Sequence, residues 1–327
     1  MAVRCFHLHP SIQSISIITN KEKYKELCQT EESSIPLFLQ YWWMDAVCCG
    51  KQWDVALAYG SDGSVSAAMP YLIGSKMGMP YVLQPQLTQY NGPWYRPGCD
   101  IPMAARQLAD HFRRLHLLFF QQNFGPSVLT LQGWENYTTS SRITYRIEDI
   151  SDPQRVFDGF DKQRRQRPIR RAAKLLSPVE DLFPEAFARF HAQYWASRGQ
   201  RDQLSLDFIQ RIVQVSLSRQ QGILLGLRDD NGLLHAARFV AFDSRCAYSL
   251  LSALNPQGHA NGASPLLFWH IIQRLSPLTQ AFDFEGSMDP GIAFSYKLYG
   301  AVPVSYHRVT RYRNPLVRCL LKSKVDE

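Results

Sequence analysis

From Gly222 to Thr310 the chain runs through one ordered series of patterns, and that order restricts the possible folds more than any other stretch. GILLGLRDDNGLLHAARFVAF alternates apolar and polar residues around Asp230, Asn231 and Gly232, a turn set that tolerates positive φ, so it predicts a hairpin. CAYSLLSAL predicts a third strand. NPQGHANGASPLLFWHIIQRL then predicts an irregular, glycine-bearing loop leading into a helix whose apolar residues, Leu266, Leu267, Ile271 and Ile272 among them, cover a broad face. A strand, a helix and a final strand follow. A helix opening at such a loop presents free amides and the positive end of its dipole, which favour phosphate, and Gly262 would let a ligand approach the backbone closely.

Composition bounds the rest. A chain of 327 residues with 45% apolar residues can fill two cores. No run approaches the roughly 18 consecutive apolar residues of a spanning helix, and the first twenty residues lack the apolar stretch of a signal peptide. A cytoplasmic protein without a transmembrane segment is the expectation. Seven cysteines without framework spacing, and no CxxC or Cys/His quartet, fit reduced thiols and no metal. The net charge of +8 favours an anionic partner: a phosphorylated cofactor, RNA or an acidic lipid surface.

Upstream, KEKYKELC predicts a short helix and PLFLQYWWMDAVC a longer, buried one that carries Trp42 and Trp43 into the core. WDVALAYGSDGSVSAAMPYLI predicts a hairpin like the later one, and MPYVLQ a third strand. An irregular stretch, a long helix over PMAARQLADHFRRLHLLFFQQ and a strand over SVLTLQGW complete a parallel series, with SVLTLQGW as the counterpart of AFDFEGSM. Two copies of one α/β unit in tandem, 1–150 and 151–327, are the simplest account. Between them lie seven basic residues from Lys162 to Lys174, a phosphate grip or a solvated helix face, interrupted by Pro168, which predicts a kink or two short helices. In the first copy, QPQLTQYNGPWYRPG replaces the phosphate loop, and Tyr90, Asn91 and Trp94 could line an acceptor groove or only close a loop over the core. In DFEGS, Asp283 and Glu285 alternate onto one face, where one of two neighbouring carboxyls can be tuned to accept a proton from an amine. Each could equally pair with an arginine or cap a helix.

HANGAS, AFDFEGSM and GIAFSYKLYGA, in this strand order, resemble the GNAT acyltransferase superfamily, and more closely its tandem branch: Fem-type peptidyltransferases and BioF2-like acetyltransferase domain proteins. The resemblance spans roughly residues 36 to 310. It implies two tandem GNAT-like domains with a mixed sheet, and in the second a splayed pair of parallel strands that admits an acyl carrier. His259, Asn261, Gly262, Ala263 and Ser264 fall at the pyrophosphate-binding turn, which keeps Gly262 and departs from the family pattern at His259 and Ser264. Tyr296, four residues before Gly300, takes the place of a tyrosine that protonates the departing thiolate, and Lys297 resembles a lysine of the Fem branch. The basic stretch, with Arg164 and Arg165, is similar to that branch's basic entry helix and is expected on the substrate side. The expected activity is N-acyl transfer from acetyl-CoA or another acyl-CoA to a small-molecule or cell-envelope precursor amine. The nearest rival is transfer from aminoacyl-tRNA to a cell-wall precursor. A nonenzymatic RNA-binding protein using Lys162 to Lys174 is the reading from another class; DNA is not an expected partner.

Overall fold

The computed structural model describes residues 19–325, apart from 77, 129 and 287. The first half contains α1 (Asn20–Thr30), a 3-10 turn (Leu37–Leu39), α2 (Tyr41–Val47), β1 (Trp53–Tyr59), β2 (Val65–Lys76), β3 (Met79–Leu83), β4 (Trp94–Tyr95), α3 (Ile101–Arg114), β5 (Phe119–Phe124) and β6 (Thr138–Ile147). Next come α4 (Pro153–Asp158), a π-helical turn (Lys162–Gln166), α5 (Arg167–Ala172), β7 (Ser177–Val179), α6 (Pro184–Ser197) and α7 (Leu206–Ser218). The second half continues with β8 (Gly222–Arg228), β9 (Leu234–Phe242), β10 (Cys246–Leu254), α8 (Pro256–Ala260), α9 (Ala263–Leu275), β11 (Ala281–Asp283), α10 (Pro290–Lys297), β12 (Val302–Tyr312) and α11 (Pro315–Val325).

Both expected hairpins form, β1 with β2 and β8 with β9, as turn residues between alternating strands dictate. Pro168 sits in the first turn of α5, which follows the π-helical turn, so the basic stretch does split into two short helical pieces. Trp42 and Trp43 lie in the core. Three segments differ from expectation. The buried helix around Trp42 is broken at Gln40, whose extended backbone is held by its amide on the carbonyls of Glu32 and Ile35. The long helix stops at Arg114, and FFQQNF, wholly buried, becomes β5. The described residues of 127–134 form turns, so β5 is the counterpart of β11. The strand β6 was not anticipated.

All strands join one sheet in the order β1-β2-β3-β5-β12-β6-β11-β10-β9-β8-β7, with β4 added beside β2. Apart from β7 at one edge, the order reads alike from both sides toward its centre. β3 runs parallel to β5 as β10 does to β11. The halves also exchange strands: β12 fits between β5 and β6, and β6 fits between β12 and β11, every contact antiparallel. In this pairing Val309 is opposite Thr139 and Pro303 is opposite Tyr145, so Val309 and Tyr145 share a face and Thr144, Arg146 and Tyr306 share the other.

Burial follows that division. On one face α3 covers the first half through Phe112, Phe120 and Val309, and α5 and α9 cover the second through Ile169, Leu267 and Phe268. On the other, α1, α2, α6 and α7 bury one core common to both halves, where Phe38 meets Tyr248 with ring centroids 4.4 Å apart. A shared core and exchanged strands make the halves one cooperative body, since neither can leave without exposing sheet edges and aromatic surface.

Candidate active site

β10 and β11 pair only from Cys246 opposite Ala281 to Tyr248 opposite Asp283. Beyond that point β10 stays with β9 as far as Leu254, while β11 ends and Phe284 donates its amide to Tyr145 of β6. Each strand follows its antiparallel neighbour, so the two part. The edge of β10 from Ser249 to Leu254 faces no strand among the described residues, and a bulge between Ser249 and Leu251 bends it at the opening. Glu285 completes the divergence with φ of 63°, a left-handed conformation that costs a non-glycine residue about 1–2 kcal/mol.

The first half has the same gap and fills it with its own chain. β3 and β5 pair at Val82 and Phe120 alone. Past them Gln84 accepts the Asn123 amide (2.8 Å), Gln122 donates to the Leu83 carbonyl (3.0 Å), and the Asn91 amide bonds the Asn123 carbonyl (2.8 Å). Gly92 permits this approach, because a Cβ there would lie 2.8 Å from the Phe124 Cα. Only the second gap is left open. Of the residues expected to line an acceptor groove, Trp94 pairs with Ala68 and Asn91 is fully buried, while Tyr90 hydrogen-bonds Asp283 and lines a separate cavity of about 290 Å³. Asn91 thus closes the loop over the core, whereas Gln86 and Leu87 of the same loop reach a larger cavity.

That cavity, about 810 Å³, lies on the shared-core face of the opening. Leu250, Leu251 and Ser252 of β10, Gln86 and Leu87 of the first half, and α6 with the segment after it form its walls. Leu87 also holds a positive φ, 51°. Two of the four strained non-glycine residues among those described thus flank the parted strands, a placement typical of functional sites.

The two carboxylates of DFEGS have separate fates. Asp283 is fully buried and accepts four hydrogen bonds: from the Tyr90 hydroxyl (3.1 Å), the Thr144 hydroxyl (2.5 Å), Arg146 Nε (2.8 Å) and the Glu285 amide (2.8 Å). Its lone pairs are committed to joining the halves, which corrects its reading as a base for the acceptor. Glu285 is half-buried without a side-chain partner among the described residues, and burial, reinforced by the Asp283 charge, pushes its carboxyl well above the usual range. Tyr296 of α10 stacks on Phe284 (4.6 Å). Burial raises its hydroxyl, and the Glu285 and Asp283 charges add to this against an opposing influence from Arg238. Lys297, one residue on, is exposed, with Nζ 6.0 Å from the centre of the Tyr145 ring.

Arg238 was missed by sequence reasoning, although a lone cation in the apolar strand HAARFVAF was a legible signal. Its guanidinium donates to Ser249 Oγ (2.8 Å), its buried Nε has no partner, and no carboxylate pairs with it among the described residues. On the same face, α9 begins at Gly262 with φ of 82°. The close approach there is not to a ligand: a Cβ on Gly262 would meet the Pro168 carbonyl at 3.0 Å, so the glycine admits α5. Asn261 caps the Ala263 amide (3.1 Å) and bonds His235 (3.0 Å), Pro265 has no N–H, and the Ser264 and Gly262 amides have no partner among the described residues. His259 is exposed and stacks on Tyr194 at 6.0 Å. Arg165 is pinned to α10 by bonds to Ser295 (2.8 and 3.0 Å), whereas Arg164, Arg167, Arg170 and Arg171 are exposed. Among the described residues no cluster of His, Cys, Asp and Glu could hold a metal, and no helix is long and apolar enough to cross a membrane.

Residues 162–297 match the family model described as an acetyltransferase (GNAT) domain. No curated protein matches the sequence. Among solved structures, FemX superposes with a TM-score of 0.66 at 11% identity, over 87% of this chain and 95% of that one. The L-PGS of Bacillus licheniformis gives 0.60 at 13% identity, over 96% and 100%. A tandem GNAT protein from the clavulanic acid biosynthesis pathway gives 0.53 at 13%, over 90% and 95%. Such identities speak to fold, and the fold is the same paired arrangement. Residues 162–297 thus carry the signature of a GNAT acetyltransferase domain, and over nearly its whole length the chain has the fold of these solved structures.

Proposed function

We propose that the protein transfers an acyl group from a phosphate-bearing donor, acyl-CoA in the first reading, to an amine acceptor. The observation that carries this is the open gap between β10 and β11 beside an 810 Å³ cavity, where the equivalent gap of the first half is closed. The residues fit an extended donor: the free edge of β10 offers backbone hydrogen bonds, and the two free amides at the start of α9 with the exposed arginines of α5 suit phosphates. The donor supplies an activated acyl carbonyl. Its oxygen, as charge develops, would be served by β10 amides at the bulge and by the unpaired Arg238. Tyr296 keeps its proton in this environment and serves as the acid for the departing atom, with Lys297 one residue away, while Glu285 orients the acceptor. The division into an acceptor half, 1–150, and a donor half, 151–327, belongs to this reading, with Gln86 and Leu87 as the first half's contribution.

A second donor, aminoacyl-tRNA, is favoured by the row of exposed arginines and by the Fem-like resemblance, and it would suit a cell-envelope precursor as acceptor. Calorimetry with acetyl-CoA beside filter binding of tRNA over a salt series separates the two. Saturable coenzyme A binding supports the first, and binding that requires the aminoacyl end supports the second. Salt-sensitive RNA binding indifferent to that end, with no coenzyme A binding, would refute both.

A further inference from the structure

We propose that His191 and Asp202 form a general-base dyad that activates the acceptor in the cavity, a role that rests on the acyl-transfer reading. His191 projects from α6, and its Nδ1 lies 2.6 Å from Asp202 Oδ2, with the two side chains 4% and 9% exposed. The carboxylate is itself fixed, because its other oxygen accepts the Leu204 amide at 3.0 Å. Phe187 and Trp195, each with ring centroids about 6 Å from the imidazole, hold the ring from either side along the helix. Nε2 has no partner among the described residues, and His191 lines the cavity. An imidazole with one nitrogen tied to a carboxylate and the other free toward a cavity is arranged to accept a proton there.

His235 provides the contrast. It also meets a carboxylate, Asp229 at 3.1 Å, but its second nitrogen is taken by Asn261 at 3.0 Å, so it only braces the loop before α9. The location of His191 also suits the chemistry. The dyad approaches the parted strands from the shared-core face, whereas Tyr296 packs with Phe284 in the core of the opposite face. Base and acid thus flank the opening from two sides, one toward the incoming acceptor and the other toward the departing atom. The other ionisable groups facing the imidazole are Arg201 and Tyr194 in the cavity wall and, behind Tyr194, His259.

In the step itself the acceptor nitrogen or oxygen bonds the acyl carbon as its proton passes to Nε2. The bond to the departing sulfur, or to the ribose oxygen of a tRNA donor, breaks with its electron pair on that atom, which takes a proton from Tyr296 or solvent. The imidazolium, balanced by Asp202, returns its proton to water.

The test has two arms on the full chain. In the first, thiol release from acetyl-CoA is followed over pH with water and a panel of small amines as acceptors. His191→Gln is expected to lower turnover about 10²-fold and to abolish the loss of rate in acid, with calorimetric affinity for acetyl-CoA unchanged. Full turnover and an unaltered pH profile would overturn the dyad. In the second, imidazole nitrogen NMR of ¹⁵N-histidine-labelled protein, assigned against His191→Gln, is expected to show the proton of the neutral ring on Nδ1 and Nε2 bare, a preference lost in Asp202→Asn. A proton resident on Nε2 also overturns it. If the wild type binds no acetyl-CoA, the coenzyme A reading falls by calorimetry, and the nitrogen spectrum decides the dyad.

Discussion

Replacing Asp283 by asparagine separates a carboxylate that holds the fold from one that takes part in chemistry. The side chain keeps its shape, and its remaining oxygen can still accept the Thr144 hydroxyl and the Glu285 amide, both of which meet Oδ1. The other terminus becomes an NH₂ facing Tyr90 and Arg146, which both donate to Oδ2. The tyrosine hydroxyl can turn and accept. Arg146 has only donors, and with its side chain 16% exposed it is left a largely buried cation against an N–H group. Breaking a buried pair from one side costs about 3–5 kcal/mol, and the adaptable Tyr90 with the partial exposure of Arg146 places this one near 3. Urea unfolding followed by circular dichroism and tryptophan fluorescence measures it. The double variant Asp283→Leu with Arg146→Met removes both charges and is expected to recover most of the loss, since no ion then remains unpaired. An Asp283→Asn protein that loses less than about 1 kcal/mol yet no longer transfers an acyl group would refute the structural assignment and restore Asp283 as the base.

Glu285→Gln tests the raised carboxyl. The folded state keeps a proton that the unfolded chain releases near 4.5, so the stability this group contributes is fully present below that pH and is lost as pH rises through its folded pKa. Glutamine mimics the protonated form, so the variant should match wild type at about pH 4 and exceed it increasingly above; a difference independent of pH would contradict the assignment. Tyr296→Phe retains the stack on Phe284 and is expected to melt with wild type while turnover falls about 10²-fold; unchanged turnover removes Tyr296 from the chemistry. Gly262→Ala must adopt φ of 82° and press on the Pro168 carbonyl, so thermal unfolding should show a loss of about 2 kcal/mol, with no loss if α5 can move away freely.

Local elements were legible because local chemistry writes them. Asp-Gly and Asn-Gly turns between alternating strands announce both hairpins, Pro168 announces the break in the basic stretch, and the apolar period announces α9. FFQQNF failed because a short apolar run after a helix continues either period, and only its pairing with β12 makes it a strand. TTSSRITYRI is half exposed and polar for most of its length, so what makes it β6 is the presence of β11 and β12 on its two sides. The candidate site divides in the same way. The alternation of Asp283 with Glu285 and the start of α9 were legible in order and spacing, and Tyr296 was named through the family resemblance, but the commitment of Asp283 depends on Tyr90, 193 residues away, and on Thr144 and Arg146. His191 and Asp202 are ordinary in sequence. They become a pair, and face a cavity, through the folding of the chain after α6 against β10 and the first half's loop. Periodicity and turn residues encode what a segment can become, while the parting of β10 from β11, the plugging of the other gap and the exchange of β6 and β12 are decided by which edges and faces remain to be satisfied when all segments meet.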